Sequence, residues 1–443
     1  MLNGIFKWSR CFLRLGVILL AGLVVSTQVQ AESSTPESAE PSVNADEGEQ
    51  NPDLRINSPG SIVKRLEEDE KRKDFLFQFP GVDGALKPWY DSKKDLDEKH
   101  GFKFGISYTT LYEKASDNFG PEDDAAGFDL DISGTWTFLG RETDSPTVLG
   151  FNFFWRDKLG AGIPPQTLFT QFGSLYSNAA PYGEDDPVVG ELYIQKIFEN
   201  VFGFRVGKIF PITAYDFFPF KNFRTDFVDF NHVTNATIPL PGNGLGGFVQ
   251  FRPHPRVMLR LGAHDANATV QKSGFDTYDG ELFTIFEVGY DTGLLPRTPG
   301  GLPQGHVHVS LWHQDEREDA GIDDGWGVGV SAVQRFGHFT PFLRFGYADA
   351  NAGGPTPARL MANAGLVIDG IFGQDNDRVA VGYTWSDPLD RTLDNQGVID
   401  AYYRVQLTPE IQIGPALEII FDPVRNPDED TVFVWGLRAR VEI

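Results

Sequence analysis

The amino-acid sequence predicts an all-β protein: a transmembrane antiparallel β-barrel of about sixteen strands, closed on itself, with the third extracellular loop folded inward. Three observations carry this expectation. From residue 101 to the C-terminus, apolar and polar residues alternate with period two. Charges keep to one of the two faces this creates, and long and short connections alternate along the chain. Successive side chains of a strand point to opposite faces, so a strand wet on one side and oily on the other must repeat every second residue.

Composition narrows the alternatives. The 443 residues hold 62 Asp plus Glu against 38 Lys plus Arg, a formal charge of -24. Such acidity excludes a phosphate-gripping nucleic-acid surface and basic adhesion to anionic lipid. Mean hydropathy is negative, which excludes a bundle of membrane helices. It leaves room for a membrane protein whose apolar residues are diluted one-to-one with polar ones.

The segments follow in order. Residues 1–31 read as a secretory signal, with Lys7, Arg10 and Arg14 ahead of an apolar stretch at 15–25 and Val29-Gln30-Ala31 as the cleavage site. The apolar stretch is too short to span a bilayer as a helix. Cys11, the single cysteine, lies inside it, so the mature chain is expected without disulfides or a lipid-bearing thiol. Its formal charge would be about -27, since the signal carries positive charges alone. Residues 32–60 form an acidic segment expected to be disordered. Residues 61–100 form a short helical, periplasmic segment. Within it, 61–74 is predicted as a solvated helix held by i,i+4 charge pairs, a periplasmic plug or tether being the alternative. Residues 101–443 form the barrel.

The strands are legible one by one. Phe102, Phe104, Ile106 and Tyr108 alternate with Lys103, Gly105, Ser107 and Thr109. Phe128, Leu130, Ile132, Gly134, Trp136 and Phe138 alternate with Asp129, Asp131, Ser133, Thr135 and Thr137. Further segments recur near 148–156, 189–198, 202–209, 244–252, 257–264, 282–291, 305–314 and 326–335. The series runs on through 339–348, 359–368, 378–386, 398–408, 411–420 and 431–443. In the last, Phe433, Trp435, Leu437, Ala439, Val441 and Ile443 oppose Arg438, Arg440 and Glu442. Lys196 and Lys208 fall on the oily parity near strand ends, where a long stem can snorkel. The segment 244–252 reads in either register.

With the N-terminus in the periplasm, connections 112–126, 157–187 and 210–243 lie outside, while 199–200, 253–255 and 337–338 are tight turns. The Pro/Gly-rich 292–304 is the exception on the short side. A propeller would show a blade repeat of about 40–50 residues, and none is present. Closure follows because hydrocarbon leaves no partner for an unpaired backbone group. Trp136, Phe138, Trp155, Tyr290, Trp385, Tyr403 and Trp435 are the outward aromatics suited to the membrane interfaces.

Sixteen strands leave an aqueous lumen, so the expected role is passage. Loop 210–243 carries Phe210, Tyr215, Phe217, Phe218, Phe220, Phe223, Phe227 and Phe230, too many rings for a solvated loop. It is expected to fold into the lumen and narrow it. The candidate constriction comprises Asp216, Lys221, Arg224, Asp226, Asp229 and His232 from this loop, with Glu191, Arg205, Arg404, Arg438 and Arg440 from the wall. Ring faces stack on sugar C–H faces, while carboxylates and guanidinium forks exchange hydrogen bonds with hydroxyls. The runner-up is a general cation-preferring porin, suggested by net charge; an outer-membrane barrel enzyme stands behind it, hinted at by Asp229 with His232.

Several stretches resemble the carbohydrate-selective outer-membrane porins of the OprB type, over roughly residues 84–443. They are Phe202-Gly203-Phe204-Arg205-Val206-Gly207-Lys208-Ile209 with the aromatic loop after it, and Pro241-Gly242-Asn243-Gly244-Leu245-Gly246-Gly247. The third is Ala401-Tyr402-Tyr403-Arg404-Val405-Gln406-Leu407-Thr408-Pro409, followed by the closing stretch from Pro423 to Arg440. The resemblance implies a sixteen-stranded channel favouring monocarbohydrates, with an inward loop and a charged eyelet. Two features depart from the pattern: the chain ends in Ile443 where many outer-membrane barrels end in Phe or Trp, and it is unusually acidic.

Other constellations are weaker. Gly242 to Gly247 leads into a strand and not from a strand into a helix, so it is turn chemistry and not a dinucleotide loop. His306 and His308 share a face, but spacing places no third ligand. Asp123-Asp124, Asp185-Asp186 and the Asp residues between 315 and 324 lack calcium-loop spacing. No Gly-x-Ser-x-Gly elbow occurs. No metal or cofactor is therefore expected. Expected partners are small sugars, outer-membrane lipid and lipopolysaccharide of a Gram-negative cell, and the barrel-assembly machinery; a homotrimer is left open.

Overall fold

A computed structural model describes residues 57–58, 60–70, 75–179, 181–292, 305–349, 356–374 and 376–443. The expected signal and nearly all of the acidic segment lie outside the described residues. Sixteen strands follow one another: β1 (Phe102–Ala115), β2 (Asp124–Leu139), β3 (Thr147–Lys158), β4 (Asp185–Phe198), β5 (Phe202–Ile209), β6 (Gly244–His254), β7 (Val257–Asp265) and β8 (Leu282–Asp291). Then come β9 (Gly305–Gln314), β10 (Gly325–Gln334), β11 (Phe339–Ala348), β12 (Ala358–Asp369), β13 (Arg378–Pro388), β14 (Gln396–Gln406), β15 (Ile411–Phe421) and β16 (Thr431–Glu442). Each pairs antiparallel with its chain neighbour, and β1 pairs with β16 to close the cylinder. At the seam Ile106 and Ile443 exchange backbone hydrogen bonds of 3.0 and 2.9 Å. No sheet edge is left, as hydrocarbon requires.

The two parities part as the residues dictate. On β2, Asp129, Asp131, Ser133 and Thr135 are buried inside, while Trp136 is exposed on the outer face. On β16, Arg438, Arg440 and Glu442 are buried, and Phe433, Trp435, Leu437 and Val441 face out. A charge facing lipid costs about 2–4 kcal/mol at the midplane, which explains the segregation. Both exceptions reach polar partners: Lys196 Nζ donates to the Ser145 carbonyl at 2.6 Å, and Lys208 Nζ to the carbonyls of Val270 and Lys272 at 3.1 and 2.5 Å. Strand β6, ambiguous from sequence, sets Phe248 and Gln250 inside and Val249 and Phe251 outside.

Among the described residues, two helices precede the barrel: α1 (Ile62–Asp69) and α2 (Pro80–His100). No helix among the described residues is long and apolar enough to cross a membrane. The α2 helix packs on the outer face: Trp89 meets Phe104 edge-on at 5.4 Å, and Tyr90 Oη donates to Glu410 at 3.3 Å. Partial burial and the Glu410 carboxylate push the Tyr90 hydroxyl up to about 12. Gly101, at φ 67°, ends the helix.

The solvated helix expected at 61–74 is not what the structure contains. The α1 helix spans Ile62–Asp69, with Ile62, Lys64, Arg65 and Leu66 buried inside the barrel. Ile62 and Leu66, one turn apart, join Tyr193, Tyr215 and Phe248 in one apolar cluster. The charges that suggested solvation are met by the wall: Arg65 by Asp131 at 3.2 Å and Asp69 by Arg440 at 3.3 Å.

Candidate functional site

Three further helices lie in the connections: α3 (Pro165–Phe172) between β3 and β4, then α4 (Pro211–Ala214) and α5 (Phe230–Val233) between β5 and β6. The β5–β6 connection crosses the interior. Phe218 and Phe227 pack on Phe342 of β11, and Phe227 also meets Tyr402 of β14 edge-on at 5.2 Å. Phe217 lies 4.3 Å from the ring of His306 on β9. These wall residues point inward from different strands, so the loop occupies the lumen.

Irregular backbone at membrane depth must find partners in the wall. Arg344 donates to the carbonyls of His232 and Thr234 at 3.1 and 3.0 Å. Arg438 donates to those of Phe223 and Asp226 at 2.9 and 2.8 Å. Asp400 accepts the N–H groups of Val228 and Asp229, both at 2.8 Å. Asp216 holds a left-handed φ of 52°, uncommon for a non-glycine residue. It is clamped from two sides, its N–H on Glu287 at 2.6 Å and its carboxylate on Arg344 at 2.6 Å.

Among the described residues, two chambers of about 240 Å³ each lie open. The one toward the long loops is bordered by Arg65, Asp131, Arg156, Glu191, Lys221 and Arg224, beside the rings of Phe154, Phe210 and Phe223. The one toward the short turns is bordered by Asp69, Asp226, Arg378, Arg404, Gln412 and Arg440, beside Phe220. Gly60 and Asn222 border both, so the waist lies between the N-terminal segment and the inward loop.

Most charges along the path are paired. Lys221 instead donates to the carbonyls of Tyr215 and Asp216 at 2.7 and 2.8 Å, and Glu191 accepts the Phe210 N–H at 3.3 Å. Arg224 bridges Asp129 and Asp131, reaching Asp131 at 2.8 Å. Arg156 closes on Asp129 at 2.9 Å and stacks 3.9 Å from the Phe154 ring. Below the waist, Asp226 takes Arg378 at 3.0 Å and Arg404 at 3.8 Å. The result is a run of fixed donors and acceptors interleaved with ring faces, with little uncompensated charge.

Of the residues expected at the constriction, Glu191, Lys221, Arg224, Asp226, Arg404 and Arg440 border the chambers. Arg438 borders a small recess with Arg224, Arg404 and Arg440. Arg205, Asp216, Asp229 and His232 border neither chamber; they are struts. Arg205 donates to Gln195 at 2.7 Å and stacks on Tyr193, its guanidinium carbon 4.2 Å from that ring. Asp229 accepts from the Asn231 N–H and holds His232 Nδ1 at 2.8 Å; His232 Nε2 lies 3.3 Å from Thr384 Oγ1. That line of carboxylate, imidazole and hydroxyl is sealed from both chambers, with His232 fully buried. His306 and His308 pair with Asp291 and Glu287, and no cluster among the described residues could hold a metal ion.

Sequence reasoning missed Gly60 and Arg65, because their segment was assigned to solvent. The pairing of Ile62 with Leu66 was the available signal. It also passed over Asp129 and Asp131, visible as inward-parity charges but not singled out among several.

Comparison with known proteins agrees with this architecture. Residues 323–443 match the model of the carbohydrate-selective porin, OprB family. The porin AaxA of Chlamydia pneumoniae is 20% identical over 325 residues, covering 70% of this chain and 71% of that protein. The high-pH structure of Pseudomonas putida OprB shares the fold at a TM-score of 0.64 and 15% identity, over 80% of this chain and 97% of that one. The family match covers β10 to β16 and the shared fold extends over the whole barrel, so the chain is similar in both respects to the carbohydrate-selective porins of the OprB family.

Proposed function

We propose that the barrel passes small sugars by passive diffusion, and that its selectivity arises at the waist bordered by Gly60 and Asn222. One observation carries the reading: most charges on the path are carboxylate–guanidinium pairs set beside aromatic faces. A neutral polyol can satisfy both halves of such a pair, accepting from the guanidinium and donating to the carboxylate. A bare ion gains from one half and is repelled by the other. Passage needs no chemistry, and the sealed Asp229–His232–Thr384 line offers a substrate no approach.

Planar-bilayer recording tests this. Purified protein should conduct salt, and added monosaccharide should reduce the current saturably. Absence of saturation, with cations passing several-fold better than anions, would replace this reading with a general cation-preferring porin. Liposome swelling with a panel of sugars would rank the permeant solutes. Three barrels associating, contact with lipopolysaccharide and handling by the barrel-assembly machinery belong to the same proposal; native mass and detergent-resistant migration report the first.

A further inference from the structure

The barrel and its inward loop do not complete the waist; the N-terminal segment does. We propose that α1 and the residues just ahead of it are a removable intraluminal insert that sets the size and charge limits of the pore. In this scheme Arg65 is a specificity-determining side chain supplied from outside the barrel. The inference rests on the porin reading but not on the identity of the solute.

Four observations converge. Gly60 borders both chambers, so the segment stands at the one place where they meet. Its φ of 81° is a backbone conformation glycine adopts freely, and it turns the chain beside Lys221, whose Cγ would lie 3.6 Å from a Cβ at this position. Arg65 borders the first chamber and binds the same Asp131 that Arg224 binds, at 3.2 Å, with a second bond to Ser133 at 2.8 Å. Glu68 and Asp69 border the second chamber, so the insert presents a cation above the waist and carboxylates below it. Leu66 fits against Gly105 of β1, where a Cβ would stand 3.0 Å from Leu66 Cδ2; the glycine is the socket for that side chain.

A fifth observation concerns the wall. Four wall groups that meet the insert keep a second partner from the barrel or the inward loop, and Lys103, which meets Glu70 at 3.0 Å, keeps Asp97 of α2 at 3.2 Å. Arg205 donates to Asn57 Oδ1 at 2.9 Å but also to Gln195 Oε1 at 2.7 Å. Arg260 meets Ser58 at 3.0 Å but also holds Gln250 at 2.6 Å. Asp131 retains Arg224 and Asn152 at 2.8 and 2.7 Å, and Arg440 retains Glu442. Withdrawal would leave no wall charge stranded, which is the usual obstacle to breaking buried ion pairs. Helix α1 makes its interior backbone bonds itself, Ser61 caps its first turn and its remaining terminal groups can turn to water, so it can leave without orphaning a strand-like ladder of N–H groups.

The test uses the full mature chain and its deletion of residues 57–70, both reconstituted in planar bilayers. The deletion should raise single-channel conductance by about twofold or more and weaken sugar block, while Arg65→Gln should raise the cation-to-anion permeability ratio by about twofold. A second pair of substitutions, Leu66→Cys with Gly105→Cys, exploits a mature chain otherwise expected to lack thiols. Bridging the two with a short bifunctional thiol reagent should hold conductance at its low level and suppress excursions to the deletion's level. An unchanged conductance in the deletion, or an unchanged ion ratio in Arg65→Gln should the deletion fail to assemble, would overturn the proposal. A rise in conductance with no sugar block in any variant would sink the sugar reading and leave the insert standing.

Discussion

Two elements enter the lumen, and they are held in opposite ways. The β5–β6 connection is tied to the barrel at both ends and has little regular structure between them, so its backbone depends on the wall. Arg344, Arg438 and Asp400 serve its carbonyls and N–H groups, and Phe218, Phe220 and Phe227 bury themselves against Phe342 and Tyr402. Helix α1 brings its hydrogen bonds with it and asks of the wall only side-chain partners, each already engaged elsewhere. A loop whose backbone is satisfied by buried charges becomes part of the barrel; a helix in the same space remains a guest. Side chains from both reach Asp131, but only one of the two elements could leave without cost to the other.

The largest effect should come from breaking the loop's clamp. Arg344→Met removes the partner of the Asp216 carboxylate and the donor to the carbonyls of Asn231, His232 and Thr234, leaving a buried charge uncompensated. Truncating one member of such a pair costs about 3–5 kcal/mol. Thermal unfolding in detergent should fall markedly, and conductance should rise as the loop leaves the wall. A stable variant with a normal pore would mean the aromatic contacts alone hold the loop, and the contrast with α1 would weaken.

Next in size is Arg224, which joins loop to wall inside the first chamber. Arg224→Gln leaves Asp129 with Arg156 and Asp131 with Arg65, so the fold should survive while the waist turns net negative. Sugar block should weaken by about tenfold, the worth of one charge-assisted hydrogen bond, and cation preference should grow. Asp226→Asn below the waist should move ion preference the other way, since it leaves Arg378 and Arg404 facing each other. Equal shifts of one sign from both variants would show that the chambers do not act as separately charged compartments.

Much of this was legible in the sequence, and the limits are physical. The barrel could be read because lipid on one side and water on the other impose a period that no single residue can disguise; even Lys196 and Lys208 obeyed it by reaching for carbonyls. The inward loop could be read because eight rings have no reason to sit in water. Which loop charges face the path could not be read. Asp216, Asp229 and His232 look like Asp226 in sequence, yet pairing with buried wall groups turns them into struts. The insert was hidden for a related reason. A charge-dense helix is ordinarily solvated, and only a polar lumen with carboxylates and guanidinium groups at matched heights can bury Lys64 and Arg65.

The smallest effect is expected from Arg141, in the β2–β3 turn. It caps the end of α2, donating to the carbonyls of Asp97 and Glu98 at 2.7 Å and Lys99 at 3.0 Å. Because the site is exposed, Arg141→Ala should cost about 1 kcal/mol or less, visible as faster amide exchange over residues 97–101. Conductance should not change if α2 merely follows the insert in sequence. Its contacts run to Phe104, Glu410 and the β2–β3 turn, whereas α1 is held mainly by inward-facing groups such as Asp131 and Ser133. Lys103 stands between the two, meeting Glu70 at 3.0 Å and Asp97 at 3.2 Å. An altered conductance would therefore mean that the outer helix anchors the inner one, and that the guest is held from outside as well as by the wall it leans on.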